Sequence, residues 1–167
     1  MEKLKAHYLK LGPKTFVILC VLLLLVTDLL NSYYLKLWWK TKNLSANFVH
    51  LMAQRSGMSL HEFDHATVQD WMQLIDNAVY FLIIIVIVNN LFFYLFYLRK
   101  KLWAQGFVLF YTFTAALFAG TFIFDNAGLG MGWLVYNTLT LFMYIYLYLG
   151  VKLLRTETTL VREKKGR

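Results

Sequence analysis

The sequence predicts an all-α fold: a polytopic membrane protein with a four-transmembrane-helix bundle and an extracytoplasmic helical hairpin between helices 1 and 2. Hydrophobic residues make up 59% of the 167 residues, against roughly 45–50% in an average soluble domain. Charged residues make up only 16%, and the mean hydropathy is +0.53. This much apolar surface excludes a disordered chain, and the single cysteine, Cys20, excludes a scaffold of intrachain disulfides.

We expect one membrane domain over residues 1–167, crossed by four apolar stretches of about 20 residues, the length that spans roughly 30 Å of hydrocarbon. The first stretch has the core VILCVLLLLV, and the second holds the run YFLIIIVIVNNLFFYLFYL. Pro13 precedes the first stretch, where proline suits the first turn of a helix. The predicted spans are residues 16–38, 77–98, 102–124 and 131–153, with an outer loop at 40–76 and tails at 1–15 and 154–167.

The distribution of basic residues predicts the orientation in the membrane. Of the 17 Lys and Arg residues, 13 lie in the two tails, at the end of the fourth span and in the loop between spans 2 and 3. The positive-inside rule therefore places the N- and C-termini in the cytoplasm and the chain in the plasma (inner) membrane. Basic side chains at this face attract anionic lipid headgroups, so the net charge of +8 indicates a lipid surface as the partner and no nucleic acid.

The outer loop carries the pattern of two short helices. The segment NLSANFVHLMAQRSG is typical of an amphipathic helix that ends near Gly57. The sequence Ser59-Leu-His-Glu62 then fits a capping box, which predicts a second helix that starts at Leu60 and continues into the second span. Elsewhere, the small-residue pairs Ala116/Gly120 and Gly128/Gly132 predict close packing of helices.

Asp28 lies near the middle of the first span, and a carboxyl group at that depth is unfavourable unless it serves a function or finds a partner. Residues at similar depth in the second and third spans are Asn89, Asn90, Thr112 and Thr114. Together these side chains would form one intramembrane polar layer. Three interpretations stay open: a proton or cation site, hydrogen bonding between the helices of the bundle, or pairing of Asp28 with another subunit.

The outer loop also contains H-E-x-x-H, a zinc-binding pattern. On a helix it places His61 and His65 on one face, where they would share a zinc ion, with Glu62 as the candidate catalytic general base. A catalytic zinc needs a third protein ligand, and the candidates on the same side of the membrane are His50 and Asp125. The alternative is a solvated amphipathic helix with a polar face rich in aspartate.

These observations favour a non-catalytic accessory or assembly subunit of a larger membrane complex. The chain is small, has little mass outside the membrane and lacks a complete catalytic set. Its partners would be other membrane subunits or further copies of itself. The first alternative is a small oligomeric ion channel or proton-linked transporter that uses Asp28. The second is a metal-binding protein or metalloenzyme that uses the His61-Glu62-x-x-His65 motif and takes zinc as its cofactor.

Overall fold

The structure, a computed structural model, describes residues 2–57, 65–124 and 130–165, and for residues 2–5, 65 and 155–165 it describes the backbone alone. No strand occurs in these ranges, which confirms the all-α prediction. The helices are α1 (Glu2–Leu11), α2 (Pro13–Thr41), α3 (Leu44–Arg55), α4 (His65–Leu98), α5 (Leu102–Phe124) and α6 (Gly130–Lys165).

Four of these helices contain segments that are long and apolar enough to cross a membrane: Pro13–Thr41, Ala66–Leu98, Leu102–Phe124 and Gly130–Leu154. The protein is therefore a multi-pass membrane protein. The second segment has 33 residues, which corresponds to about 50 Å of helix at 1.5 Å per residue. This exceeds the roughly 30 Å of hydrocarbon in a bilayer, so part of α4 extends beyond the apolar layer.

The loop at residues 40–76, which the sequence predicts to be extracytoplasmic, folds as helix in the parts that the structure describes. A left-handed Asn43 (φ 48°) turns the chain from α2 into α3, and the Asn47 side chain donates a hydrogen bond of 3.1 Å to the Lys42 carbonyl oxygen. At its other end α3 is followed by Gly57 with φ 68°, as predicted from the sequence. The predicted helix start at Leu60 lies outside the described residues, but from His65 onward α4 runs unbroken to Leu98, as predicted.

The chain divides into two compact units, one formed by residues 1–27 and 90–167 and the other by residues 28–89. In the first unit α5 packs along α6, and α1 also contacts α6. Its core consists of side chains with no exposed surface, among them Phe16, Leu24, Tyr94, Val108 and Leu147. In the second unit the side chains that α3 buries are Ser45, Val49 and Ala53. The single membrane domain that we expect from the sequence stays a prediction.

The short helix α1 is fixed to α6 by a buried tyrosine. Tyr8 is 1% exposed, and its hydroxyl donates a hydrogen bond of 2.7 Å to the Tyr146 carbonyl oxygen. The Tyr8 ring packs edge-on against Phe16, with ring centroids 5.3 Å apart. Burial, together with the nearby Tyr146 phenol, raises the pKa of Tyr8 to about 12. The phenol therefore remains a hydrogen-bond donor far above neutral pH.

Tyr8→Phe is expected to lower the free energy of unfolding by about 1 kcal/mol at neutral pH, because one buried hydrogen bond is lost. The pKa of Tyr8 is higher in the folded state than its ordinary value of 10.0. The phenol's contribution to stability is therefore present below pH 10 and is lost as the pH rises to about 12. Denaturant unfolding of both proteins across this range should show the difference between them shrinking. A difference that stays constant through pH 12 would contradict the prediction.

Candidate functional site

An apolar groove lies between α3 and the first part of α4, within the second unit. Its volume is about 310 Å³, the lower end of the range for ligand-binding pockets. Seven of its eight lining residues are apolar, and the eighth contributes a hydroxyl group. The lining residues are Phe48, Val49, Met52, Ala53, Ser56, Trp71, Leu74 and Ile75. A groove of this composition binds apolar groups and offers none of the titratable side chains that acid–base chemistry needs.

The periodicity of α3 explains how the groove forms. Ser45, Val49 and Ala53 recur every four residues and form its buried face. Phe48 and Met52 lie on the adjacent face and stay about half exposed. On α4, Leu74 is 68% exposed although it lines the same groove. In a membrane protein, large apolar side chains that remain this exposed contact either lipid or another protein chain.

A polar cluster beside the groove connects α2, α3 and α4. The indole nitrogen of Trp39, in α2, donates hydrogen bonds to Ser45 Oγ at 2.8 Å and to Asp76 Oδ1 at 3.0 Å. The Ser45 hydroxyl donates a short hydrogen bond to the same Asp76 oxygen. Hydrogen bonds to a carboxylate are stronger than those between neutral groups. Because Asp76 is next to Ile75 in the groove wall, the cluster fixes the position of α3 against α4.

A cation–π contact adds to the connection between α2 and α4 in the same unit. The Lys36 ammonium group lies 4.6 Å from the centre of the Tyr80 ring. Such contacts are worth about 0.5–1 kcal/mol at exposed sites. Tyr80 is one helical turn after Asp76, so the contact and the polar cluster act on the same stretch of α4.

The structure separates the predicted polar layer into buried and exposed members. Asp28 is buried in the second unit, and Asn90 and Thr112 are buried in the first. Thr112 donates a hydrogen bond of 2.8 Å to the Val108 carbonyl oxygen of its own helix, and Thr114 bonds to its own helix in the same way. Asn89 is exposed. A shared site at Asp28 stays a prediction.

Most residues of the predicted zinc site lie outside the part of the chain that the structure describes. His61, Glu62 and Asp125 lie outside the described residues, and His65 is described only by its backbone. His50 lies exposed on α3. Within the ranges that the structure describes, no group of three or more His, Cys, Asp or Glu side chains is arranged to hold a metal ion. Zinc binding by this motif stays a prediction.

Sequence reasoning identified neither the groove nor the Trp39–Ser45–Asp76 cluster. Trp39 suggests an interfacial aromatic residue, and Asp76 belongs to the polar face of an amphipathic helix. The available signal was the spacing of Ser45, Val49 and Ala53, which forms a stripe of small side chains on α3. Such a stripe allows another helix to approach closely.

Comparisons with known proteins yield no relative from which a role could be inferred. No family model matches the chain, and neither a curated protein nor a solved structure matches it.

Proposed function

We propose that the chain is a non-catalytic accessory or assembly subunit of a larger membrane complex. The observation that carries this proposal is the apolar groove between α3 and α4, whose lining residues Phe48 and Met52 stay about half exposed and Leu74 68% exposed. We propose that an apolar segment of another subunit fills it. At about 310 Å³ the groove accommodates a few large side chains. A lining with a single hydroxyl group suits binding better than catalysis.

We further propose that the groove faces the extracytoplasmic side, at the level of the membrane surface. The basic residues of the tails and of the loop between α4 and α5 would then contact anionic headgroups at the cytoplasmic face, with both termini inside. In this orientation α3 and the first turns of α4 form a helical hairpin outside the membrane. A partner subunit would reach the groove from the outer surface or from within the outer leaflet.

The test compares groove variants with a matched control on the same helix. Phe48 and Leu51 are both 48% exposed, but only Phe48 lines the groove. Phe48→Ala and Leu74→Ala are expected to reduce by at least tenfold the amount of a stoichiometric complex extracted from the native membrane. Leu51→Ala should leave it unchanged. Native mass spectrometry measures the complex, with the total amount of each variant in the membrane as the reference.

Two outcomes would contradict this proposal. One is a complex that persists unaltered in both groove variants, which would place the contact elsewhere. The other is a groove occupied only by lipid, seen as bound lipid masses that Phe48→Ala removes while no other subunit accompanies the chain.

A further inference from the structure

Asn89 is a polar side chain on the exposed surface of α4. It lies near the middle of the predicted span 77–98, and it is exposed, while the next residue, Asn90, is buried. No hydrogen bond joins Asn89 to another side chain in the part of the chain that the structure describes. Hydrocarbon offers no hydrogen-bond partners, and an unsatisfied amide there costs several kcal/mol. A single copy of the chain therefore leaves this group in an unfavourable environment.

Asn89 belongs to an exposed seam on α4 that has coiled-coil spacing. Ala78, Leu82, Ile85 and Asn89 follow one another at intervals of four, three and four residues, and all of them are exposed. Ile83 and Ile87 are partly buried and lie on the other side of the helix. In a heptad pattern Asn89 takes an a position. A single asparagine at an a position is the feature that sets register and oligomeric state in two-stranded coiled coils.

We infer that two copies of this chain associate through α4, with the two Asn89 side chains paired across a twofold axis. Copies inserted with the same topology present their α4 helices in parallel, as this seam requires. An amide carries both donors and an acceptor, so two amides related by the axis form two reciprocal N–H···O bonds. An unrelated partner helix would need its own polar group at this depth, whereas a second copy supplies it by symmetry. This inference is independent of the proposed function.

Cysteine cross-linking in native membranes tests the seam. In a Cys20→Ala background, Ile85→Cys and Leu82→Cys are expected to form a disulfide-linked species of twice 19.7 kDa on mild oxidation. Ile84→Cys is the matched control, because Ile84 is 57% exposed and Ile85 46%, yet Ile84 lies off the seam. The control should give little of this species. Similar yields from Ile84→Cys and Ile85→Cys, or a cross-link only to a chain of another mass, would overturn the inference.

Changing the amide tests the role of Asn89 itself. Asn89→Leu, combined with Ile85→Cys, is expected to reduce the cross-linked fraction about fivefold, because hydrogen bonds between membrane helices are worth about 1 kcal/mol. Asn89→Gln keeps an amide and should retain most of the cross-link. An unchanged yield in Asn89→Leu would overturn the pairing. If Asn89→Leu fails to accumulate in the membrane, the comparison of Ile84→Cys with Ile85→Cys still decides whether the dimer exists.

Discussion

Gly150→Ala is expected to destabilise the protein by about 1–3 kcal/mol, the usual effect of overpacking a well-packed core. Gly150 lies in α6 opposite Phe16 and Tyr8. An added Cβ would lie 2.7 Å from the Tyr8 ring and still closer to the Phe16 ring. Both rings are held in place, because Phe16 has no exposed surface and Tyr8 bonds to the Tyr146 carbonyl oxygen. The added methyl group must therefore push α6 away from both α1, which carries Tyr8, and the first turn of α2, which carries Phe16.

Gly106→Ala is the control for this prediction, because Gly106 is also inside a helix and a Cβ there would meet nothing within 4 Å. It should stabilise the protein by up to about 1 kcal/mol through helix propensity alone. Thermal unfolding of the purified proteins in one detergent gives both values. Phe16→Leu, which shortens the opposing side chain, should restore part of the stability lost in Gly150→Ala. Equal effects of alanine at Gly150 and Gly106 would show that the two rings do not confine this position.

Asp76→Ala is expected to destabilise the second unit by about 2–3 kcal/mol. The change removes the acceptor for the Ser45 hydroxyl and for one of the two hydrogen bonds of the Trp39 indole. Ser45 is buried, so its hydroxyl cannot turn to water without disturbing α3. A buried donor without a partner costs about 1–3 kcal/mol, and bonds to charged acceptors are worth more than neutral ones. The α3 helix should consequently unfold locally more often.

Limited proteolysis measures this opening, because unwinding of the last turns of α3 makes the peptide bond after Arg55 more accessible to trypsin. Cleavage in Asp76→Ala should be roughly 30- to 150-fold faster than in the wild-type protein, the factor that corresponds to 2–3 kcal/mol of opening free energy. Asp70→Ala, on the same helix but exposed, is the control and should change the rate little. The same rate in both variants would mean that the cluster does not hold α3 in place.

The sequence was sufficient to predict the membrane helices, but it did not predict in which direction individual polar side chains point. Membrane spans can be predicted from sequence because about 20 successive apolar residues favour insertion into the bilayer. This holds regardless of which helices the span packs against. The depth of a residue in the membrane follows from its position along the span, so the sequence places both Asn89 and Asn90 near the middle of the membrane. Neighbouring residues of a helix point about 100° apart, and only the packing of α4 shows that Asn90 is buried while Asn89 is exposed.

The contacts that stabilise each unit internally join residues that are distant in sequence. The two Asp76 hydrogen bonds connect positions 31 and 37 residues apart, and no local pattern reports such a pairing. The small-residue pairs likewise did not predict where helices approach closely. A Cβ at Gly120 or Gly132 would meet nothing within 4 Å, and Gly128 lies outside the described residues. The close approach occurs at Gly150, which no small-residue pair marks.

We propose that this chain works as a subunit bound to other membrane proteins. Native mass spectrometry of the wild-type protein, gently extracted from its own membrane, tests this most directly. We expect a complex of fixed mass that contains chains of other masses beside one or two copies of 19.7 kDa. A two-copy species without other chains would contradict the proposed function but agree with the α4 dimer. A bare 19.7 kDa monomer would contradict both.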